Sequence, residues 1–301
     1  MSSTVLYGGI EGGGTKFVCA LARSPVEIID SLTLPTRDAR STLAECVQFF
    51  VSAQKRHGPI QALGFSCFGP IDLRSGAAGF GRMMATPKEG WSGVNVLEPF
   101  RSALAVPVAL DIDVGAAALA EWRLGAGRGL GSMVYVTVGT GIGGAAAPRD
   151  PISNRLMHAE MGHMPVRRDP RDAEFAGICP FHGDCLEGLA SGPAIRARWG
   201  CLMEDLPSDH PGRSIVAGYL GQMAACIALT LSVERIVFGG GVMSSGALLP
   251  LVRLAALDYL NGYIETFKDP ASMARYVCAP ALGSHAGIAG SLLLARDALL
   301  L

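Results

Sequence analysis

Three glycine-rich turns, each directly after a β-like run, constrain the fold of this chain more than any other feature of its sequence. The glycines cluster at 8–14, 139–144 and 239–241. The chain has 39 glycines in 301 residues, nearly twice the usual share of about 7%. Because the clusters follow β-like runs and do not form low-complexity tracts, they indicate functional turns at strand ends.

The hydrophobic pattern predicts two α/β halves. In the first half we expect strands over 5–10, 17–21, 27–32, 62–67 and 108–112, and helices over 41–55 and 114–122. In the second half we expect strands over 132–138, from 144, over 235–238 and over 276–279, and helices over 213–232, 246–259 and 286–300. Each half opens with strand, glycine turn and strand, which suggests a duplicated unit whose cleft would favour a ligand.

Composition excludes several classes of protein. Half of the residues are hydrophobic, yet no apolar run approaches the length of a membrane span. Residues 1–4 show no signal-peptide pattern, so a cytoplasmic location is expected. The net charge is −1 and no basic patch is present, so no nucleic-acid partner is expected.

The first turn consists of Glu11, Gly12, Gly13, Gly14, Thr15 and Lys16. Glycines let the backbone approach phosphates closely, and the N–H groups of such a turn can cradle oxyanions. The Thr15 hydroxyl could add a donor, and Glu11 could hold Mg²⁺ through water. A plain hairpin turn explains the same residues equally well, and the spacing of a P-loop is absent.

Two further turns are candidates for nucleotide binding. In the second, the candidate phosphate-binding residues are Thr137, Gly139, Thr140, Gly141 and Gly143. Together with the first turn it predicts a phosphate clamp from opposite sides of a cleft. In the third, adenine and ribose could lie against Gly239, Gly240 and Gly241. On its own this turn is better explained as an ordinary strand–helix connection.

A candidate base lies between a predicted strand and a predicted helix. Asp111 and Asp113 occur at the strand end, which is the edge of a cleft in such folds. A carboxylate there could accept a proton from a sugar hydroxyl as that oxygen attacks phosphorus. A helix N-cap explains either aspartate as well, and Asp113 could serve as cap and base together.

Four Cys and His residues form a candidate zinc site in a loop-rich insert over 148–185: His163, Cys179, His182 and Cys185. They supply a closed tetrahedral Cys₂His₂ set, which is typical of structural zinc. The alternative is an incidental group, but ligands at two-residue spacing favour zinc. Glu160 and Glu187 flank the set, so a metal would fix two carboxylates able to accept hydrogen bonds from sugar hydroxyls. Five other cysteines lie in apolar runs and are expected to be buried: Cys19, Cys46, Cys67, Cys226 and Cys278.

In combination, these motifs resemble the ROK family of sugar kinases and repressors over essentially the whole chain. The matching segments are 11–16, 116–121 after Asp113, 137–144, 160–163, 179–187 and 239–241. The resemblance implies an α/β, actin-like (ribonuclease H-like) ATPase fold of two domains around a cleft. The implied N-terminal domain covers 1–116 and is completed by a helix over 286–301. The implied C-terminal domain covers 117–285 and carries the zinc insert over 158–190.

The resemblance also assigns roles and partners. ATP is expected between the domains with Mg²⁺ near its phosphates, and the family is usually homodimeric. Asp113 matches the family's catalytic base. Glu160, His163 and Glu187 match its sugar-contacting residues, and we place Gly69 with them. His163, Cys179, His182 and Cys185 match its zinc ligands.

Within the family, the chain is most similar to bacterial fructokinases, through 9–20, Thr86-Pro87-Lys88 and Cys-Pro-Phe-His-Gly-Asp-Cys at 179–185. We therefore expect phosphorylation of D-fructose at its 6-hydroxyl, giving fructose 6-phosphate and ADP. Glu11, Ile112 and Gly115 replace residues common in relatives, and an Asn common near Gly90-Trp91 is missing. The loss of polar groups that could contact the sugar argues against glucose as the preferred substrate. Mannose, glucose and an N-acetylhexosamine nevertheless stay open as alternatives to fructose.

Two alternatives belong to other functional classes. A sugar-sensing repressor of this family has a helix-turn-helix before the first glycine turn, and a strand predicted from about Val5 leaves no room for it. An actin-like filament protein would not need paired sugar-site carboxylates or a zinc insert. Both alternatives are therefore disfavoured.

Overall fold

The computed structural model describes residues 5–148, 157–267 and 269–300. The chain divides into two compact units. The first contains Met1–Ala120, Arg149–His158 and Ser284–Leu301, and the second contains Glu121–Pro148 and Ala159–Gly283. The interpretation of residues 1–4, and the part of the expected loop-rich insert over 149–156, lie outside the described residues.

The first unit is built on a five-stranded sheet with the order β3-β2-β1-β4-β5. Its strands are β1 (Tyr7–Gly12), β2 (Lys16–Ser24), β3 (Glu27–Pro35), β4 (Ala62–Cys67) and β5 (Val108–Ile112). Strands β1, β2 and β3 form an antiparallel meander, whereas β4 and β5 continue the sheet parallel to β1. Strand β4 is buried at every position, as expected for a parallel strand covered on both faces.

Among its described residues, this unit contains all or part of four helices: α1 (Ala39–His57), α2 (Glu98–Leu104), the start of α3 (Asp113–Leu124), and α9 (Ala286–Asp297). Helix α9 packs directly on β4. A Cβ at Gly64 would collide with the carbonyl oxygen of Ser291, and the hydroxyls of Ser66 and Ser291 lie 2.8 Å apart. Because glycine lets the helix approach the strand so closely, the last helix of the chain holds the strand ends of the first unit in place.

The second unit contains a four-stranded sheet with the order β7-β6-β8-β9. Its strands are β6 (Met133–Val138), β7 (Ile142–Ala147), β8 (Ile236–Gly239) and β9 (Val277–Cys278). Its helices are α4 (Leu186–Ala190), α5 (Gly192–Trp199), α6 (Pro211–Thr230), α7 (Leu249–Leu260) and α8 (Pro270–Tyr276). Strands β6 and β7 are antiparallel, and β8 and β9 are parallel to β6. This repeats the β1–β2–β4–β5 arrangement, so the predicted duplication of an α/β unit is confirmed.

Some expectations about local structure were wrong. Helices α2, α4, α5 and α8 were not predicted, because each has eight residues or fewer and shows too little of the 3.6-residue period. Cys226, expected to be buried, is exposed, and Cys278 is half-buried. Cys226 lies within an apolar run, but it occupies the outward face of α6. Within the described residues, no helix combines the length and the apolar character needed to cross a membrane.

Candidate active site and metal site

The first unit brings several predicted site residues to one edge of its sheet. Strands β1, β4 and β5 are parallel, so their carboxyl ends meet at the same edge, which is where α/β folds bind ligands. Glu11 and Gly12 end β1, Gly69 follows β4, and Asp113 follows β5. The N–H of Phe68 donates to the carbonyl of Gly12 at 2.7 Å, which holds the first two strand ends together.

Asp113 is the first residue of α3 and is half-buried. Its Oδ1 atom accepts a hydrogen bond from the Val114 N–H at 2.8 Å. An N-cap side chain normally accepts from the second or third helical N–H, so this contact with the adjacent residue is not the usual cap. Burial, followed by the charge of Asp111, raises the pKa of Asp113 to about 6. The carboxyl group is therefore mostly ionised at neutral pH and has a basicity suited to accepting a proton.

The Glu11 carboxyl lies against the first turn of α9. It accepts a hydrogen bond from the Ile288 N–H, and a Cβ at Gly287 would overlap it. Burial and the charge of Asp113 raise the pKa of Glu11 to about 7, although Lys16 and the Ile288 N–H act in the opposite direction. Two neighbouring carboxyl groups in a partly buried site favour a cation. One carboxylate with water and phosphate oxygens is the donor set that Mg²⁺ usually takes, so these residues fit Mg²⁺.

The backbone of the first glycine turn is open on one side. The N–H of Gly13 donates to the Lys16 carbonyl at 2.9 Å, and the Thr36 hydroxyl donates to the Gly13 carbonyl at 2.7 Å. At Gly14, by contrast, no atom of the described residues beyond its two chain neighbours lies within 4 Å of the position that a Cβ would take, and φ is not positive. Packing and backbone geometry therefore do not require glycine at position 14. A ligand close to the backbone is a sufficient reason for it.

In the second unit, the other two glycine turns lie side by side. Strands β6 and β8 are parallel, with Thr137 opposite Gly239. Gly240 has a φ of 90° and packs against the Val138 backbone, which explains the glycine at that position. Apart from its chain neighbours, no described residue has an atom within 4 Å of a Cβ placed on Gly241, so this part of the backbone is again open.

The second turn is a tight connection between β6 and β7. The N–H of Gly139 donates to the Gly141 carbonyl, and the Gly192 N–H at the start of α5 donates to the Gly139 carbonyl, both at 2.8 Å. Thr140 at its tip is exposed, and Gly143 pairs with Thr137 across the hairpin. The turn is therefore held by its own backbone and by α5, and the threonine at its tip faces solvent.

One predicted sugar-binding residue contacts this turn. The Oε2 atom of Glu187, in α4, accepts a hydrogen bond from the Ile142 N–H at 2.9 Å and lies 2.6 Å from where a Cβ on Gly141 would be. Glu160 immediately precedes a 3-10 turn, Met161–His163, and its carbonyl accepts a hydrogen bond from the His163 N–H at 3.0 Å. The second unit thus carries Glu160, His163 and Glu187, whereas Asp113, Glu11 and Gly69 belong to the first.

The four predicted metal ligands come together in the second unit. Their ligand atoms all lie within 4.8 Å of one another. The Nδ1 atom of His163 lies 3.7 Å from Cys179 Sγ and 3.5 Å from Cys185 Sγ, and Nδ1 of His182 lies 3.6 Å from Cys179 Sγ. Zinc–sulfur and zinc–nitrogen bonds of about 2.3 and 2.0–2.1 Å at a tetrahedral angle separate S and N by about 3.6 Å. The cluster therefore has the chemistry and the dimensions of a structural zinc site.

Local backbone contacts produce this cluster. Cys179 and Gly183 exchange two backbone hydrogen bonds, at 3.1 and 2.9 Å, and Gly183 takes a φ of 66°, which glycine adopts readily. The resulting tight loop presents Cys179 and His182 on one side. The Leu186 N–H donates to the Met164 carbonyl at 3.0 Å, which brings Cys185 next to His163. Short-range hydrogen bonds thus bring the four predicted metal ligands together.

Lys88 was not assigned a role in the site, although the structure places it there. Its Nζ atom donates to the Gly14 carbonyl at 2.8 Å. The two residues are 74 positions apart in sequence, and a surface lysine in a loop carries no spacing signal. The scarcity of lysine could have drawn attention to it, because the chain has only four lysines, at 16, 55, 88 and 268.

Comparison with known proteins gives matches along nearly the whole chain. The model of the ROK family matches residues 7–298. A fructokinase of Zymomonas mobilis subsp. mobilis is 40% identical over 296 residues, which cover 97% of each protein. A fructokinase of Lactococcus lactis subsp. cremoris is 38% identical over 277 residues, which cover 92% of each protein.

The fold is also that of solved structures. The crystal structure of a ROK family glucokinase from Streptomyces griseus in complex with glucose and AMPPNP matches with a TM-score of 0.74 and 22% sequence identity. The match covers 97% of this chain and 99% of that one. The predicted actin-like ATPase fold is therefore confirmed.

Proposed function

The chain belongs to the ROK family, and from this premise we propose that it is an ATP-dependent sugar kinase that phosphorylates D-fructose at its 6-hydroxyl. The products are fructose 6-phosphate and ADP. Fructokinases that are 38–40% identical over more than nine-tenths of the chain support fructose as the substrate. The alternative substrates are mannose, glucose and an N-acetylhexosamine.

One structural observation carries the kinase assignment. An open glycine turn and the two carboxyl groups of Glu11 and Asp113 share the edge formed by the carboxyl ends of β1, β4 and β5. This combination offers backbone donors for phosphate, a carboxylate for a metal ion and a second carboxylate for a proton. Phosphoryl transfer needs these three functions.

We assign the base to Asp113. As the sugar 6-oxygen forms its bond to the γ-phosphorus, its proton passes to the Asp113 carboxylate, and the bond between phosphorus and the β-bridging oxygen breaks. The bond electrons leave with ADP. Because Oδ1 is engaged by the Val114 N–H, the carboxylate is held in orientation while Oδ2 receives the proton. A positioned base contributes about 10²–10⁴-fold to such a step.

We assign the sugar to Glu160, His163 and Glu187, with Gly69 lining the site. His163 can serve both the metal and the sugar, because its Nδ1 faces the two cysteine sulfurs and its Nε2 is the other ring nitrogen. A metal ligand that hydrogen-bonds through its second nitrogen is held in a fixed tautomer and orientation. The Cys179–His182–Cys185 group would thereby orient a sugar-binding side chain without taking part in the chemistry.

We assign the nucleotide to the three glycine turns. The residues proposed to contact ATP are Gly12, Gly13, Gly14, Thr15, Lys16, Thr137, Gly139, Thr140, Gly141, Gly143, Gly239, Gly240 and Gly241. Glu11 would hold Mg²⁺, which when bound offsets the charge of the β- and γ-phosphates. The open backbone at Gly14 supports close approach of a ligand to the first turn, and that at Gly241 supports the same for the third turn.

A coupled assay of ADP release tests the proposal. Purified protein with Mg²⁺ and ATP is given fructose, mannose, glucose and N-acetylglucosamine in turn, and the product is identified by ³¹P NMR. We expect the highest kcat/KM with fructose and a phosphate on the 6-oxygen. No ADP release with any sugar would reject the kinase assignment. A clearly higher kcat/KM with another hexose would reject fructose alone.

The family resemblance also leads us to propose a homodimer in the cytoplasm. Light scattering on the purified protein tests the first part, because a dimer has twice the 31.3 kDa mass of the chain. Fractionation of cells that express the protein tests the second. A monomer, or recovery with membranes, would reject the corresponding part and leave the kinase assignment untouched.

A further inference from the structure

Lys88 lies next to the first glycine turn. Its ammonium donates to the Gly14 carbonyl at 2.8 Å, the position where the turn backbone is open. An ammonium has three donor hydrogens, and this contact uses one. A single carbonyl on a half-buried surface gives a flexible lysine little stabilisation, so the contact by itself does not explain why a cation is placed here.

The loop that carries Lys88 is fixed to the turn by buried aromatic side chains. Trp91 is fully buried, and its ring stacks on Phe17 with a centroid distance of 5.4 Å. Phe17 in turn fills the space beside Gly12, since a Cβ there would lie 2.6 Å from its ring. The Trp91 Nε1–H donates to the Arg37 carbonyl at 2.8 Å. These contacts therefore fix the position of the Lys88 backbone relative to the first glycine turn.

Hydrogen bonds within the loop that carries Lys88 further restrict its backbone. The Lys88 N–H donates to the Thr86 hydroxyl oxygen at 3.3 Å, and the Trp91 N–H donates to the Lys88 carbonyl at 3.3 Å. The Thr86 N–H donates to the Ser92 hydroxyl oxygen at 3.1 Å. The backbone around Lys88 is thus ordered by its own contacts, while the end of the side chain can move between partners.

Lysine is rare among the basic residues of this chain, which distinguishes Lys88 from the many arginines. Of 25 Lys and Arg residues, only four are lysines, and two of these, Lys16 and Lys88, lie at the first glycine turn. Lys16 is close enough to Glu11 to lower the pKa of that carboxyl. Lys88, in contrast, contacts the turn at Gly14, where the backbone is open. An ammonium is a compact point charge that can follow a moving phosphoryl group, whereas a guanidinium binds in a planar fork.

We propose that Lys88 is a catalytic residue that contacts the γ-phosphoryl group of ATP and accompanies it during transfer to the sugar; this rests on the proposed kinase function. When ATP binds, the ammonium exchanges the Gly14 carbonyl for γ-phosphoryl oxygens. The bond from phosphorus to the β-bridging oxygen breaks, the bond to the sugar oxygen forms, and the sugar proton goes to Asp113. Lys88 keeps its own protons throughout and offsets the negative charge on the transferred group.

The test compares Lys88→Met, Lys88→Arg and the exposed control Lys55→Met in full-length protein. The wild type must first release ADP with a sugar; if it does not, the proposed function fails, and this inference fails with it. With an active wild type, Lys88→Met should lower kcat by about 10²–10³-fold and leave the KM for sugar within about twofold. Lys88→Arg should recover part of kcat, and Lys55→Met should leave kcat unchanged.

Calorimetry separates a phosphate contact from a structural role. For Lys88→Met, the Kd of the non-hydrolysable analogue AMPPNP should rise by about tenfold or more, because a charge-assisted contact is lost. The Kd of ADP, which lacks the γ-phosphoryl group, and Tm should stay at wild-type values. A kcat within threefold of an active wild type, or equal losses of affinity for AMPPNP and ADP, would overturn the inference.

Discussion

The Oε2 atom of Glu187 accepts a hydrogen bond from the backbone N–H of Ile142 at 2.9 Å. Glu187 belongs to α4, which follows the candidate zinc ligand Cys185, and Ile142 is the first residue of β7, directly after the second glycine turn. The carboxyl group also lies 2.6 Å from where a Cβ on Gly141 would be. A residue assigned to the sugar thus also anchors a turn assigned to phosphate, and two substitutions of Glu187 can separate these roles.

Glu187→Gln and Glu187→Ala should differ in their effect on ATP. The glutamine oxygen can still accept from the Ile142 N–H, but the charge offered to a sugar hydroxyl is lost. A hydrogen bond to a charged group is worth about 1.5–3 kcal/mol, so kcat/KM for fructose should fall by about 10- to 100-fold with the KM for ATP little changed. Glu187→Ala also releases the turn, so both KM values should rise. Equal KM values for ATP in the two variants would show that the turn does not depend on Glu187.

Gly14→Ala should lower affinity for ATP without affecting the fold. In the part of the chain that the structure describes, only the two neighbouring residues come near the new methyl group, and φ is compatible with alanine. The free energy of unfolding should therefore change by less than about 0.5 kcal/mol. A phosphate close to the backbone would meet the methyl group directly. We expect the Kd of AMPPNP, measured by calorimetry, to rise at least about tenfold.

Gly218→Ala is the matched control, because among the described residues no atom outside the backbone of α6 itself lies within 4 Å of a Cβ at position 218. Alanine in a helix interior should raise stability by about 0.5–1 kcal/mol and leave AMPPNP binding unchanged. Unchanged binding in Gly14→Ala would mean that no ligand approaches this part of the backbone.

Asp113→Asn should abolish most of the turnover and leave sugar binding intact, with a loss in kcat of about 10²–10⁴-fold. Because Asp113 has a pKa of about 6 and the ionised form is the base, kcat/KM of the wild type should rise with pH through about 6 and then level off. Measurement of kcat/KM from pH 5 to 8 checks this, and near-normal kcat in the variant would remove Asp113 from the mechanism.

The same substitution should stabilise the protein at high pH. The folded-state pKa of Asp113 is raised from 3.8 to about 6, so the folded protein binds this proton more tightly than the unfolded chain does. Stability from this group is therefore greatest at low pH and declines as pH rises from about 4 to 6. Asparagine removes that decline, so Asp113→Asn should gain on the order of 1–3 kcal/mol at pH 8. Urea unfolding at pH 8 measures the gain, and a loss would contradict the burial of the charge.

The sequence was sufficient for the strands and for the Cys and His residues of the candidate metal site, but not for the long-range contacts of the site. Strands at 62–67 and 108–112 were predicted to the residue, because each is a short apolar run that a turn signal ends. The sequence picked out the four Cys and His residues of the candidate zinc site because three of them are local in sequence, and the structure brings their ligand atoms together. The contacts of Glu187 with Ile142 and of Lys88 with Gly14 join residues 45 and 74 positions apart. Such side-chain contacts to a backbone atom follow from tertiary packing and leave no periodic pattern.

Removal of zinc should loosen the second unit. The four ligands are closely spaced, and a structural zinc site contributes directly to folding free energy. We expect treatment with a strong chelator to lower Tm and raise the KM for fructose through His163 and Glu187, and addition of zinc to restore both. His182→Ala is the matched variant, because His182 is a predicted ligand with no proposed sugar contact. Metal content by mass spectrometry and Tm should fall together, and an equally stable metal-free protein would reject the structural role.

A buried ion pair in the second unit should contribute more to stability than the surface ion pairs do. Arg198 lies 2.6 Å from Asp172, and their side chains are only 5% and 6% exposed. The Tyr219 hydroxyl also donates to Asp172 at 2.8 Å, and Arg198 donates to the Leu189 carbonyl of α4. The pair thus ties α4, which carries Glu187, to α5 and α6.

Removal of one partner from a buried pair leaves an uncompensated charge and costs about 3–5 kcal/mol. Asp172→Asn should therefore destabilise the protein by about that amount, whereas Glu27→Gln, which breaks the exposed Arg23–Glu27 pair, should cost less than about 1 kcal/mol. Chemical unfolding of both variants measures the difference. Equal and small losses of stability in the two variants would show that the pair does not hold α4 against α5 and α6.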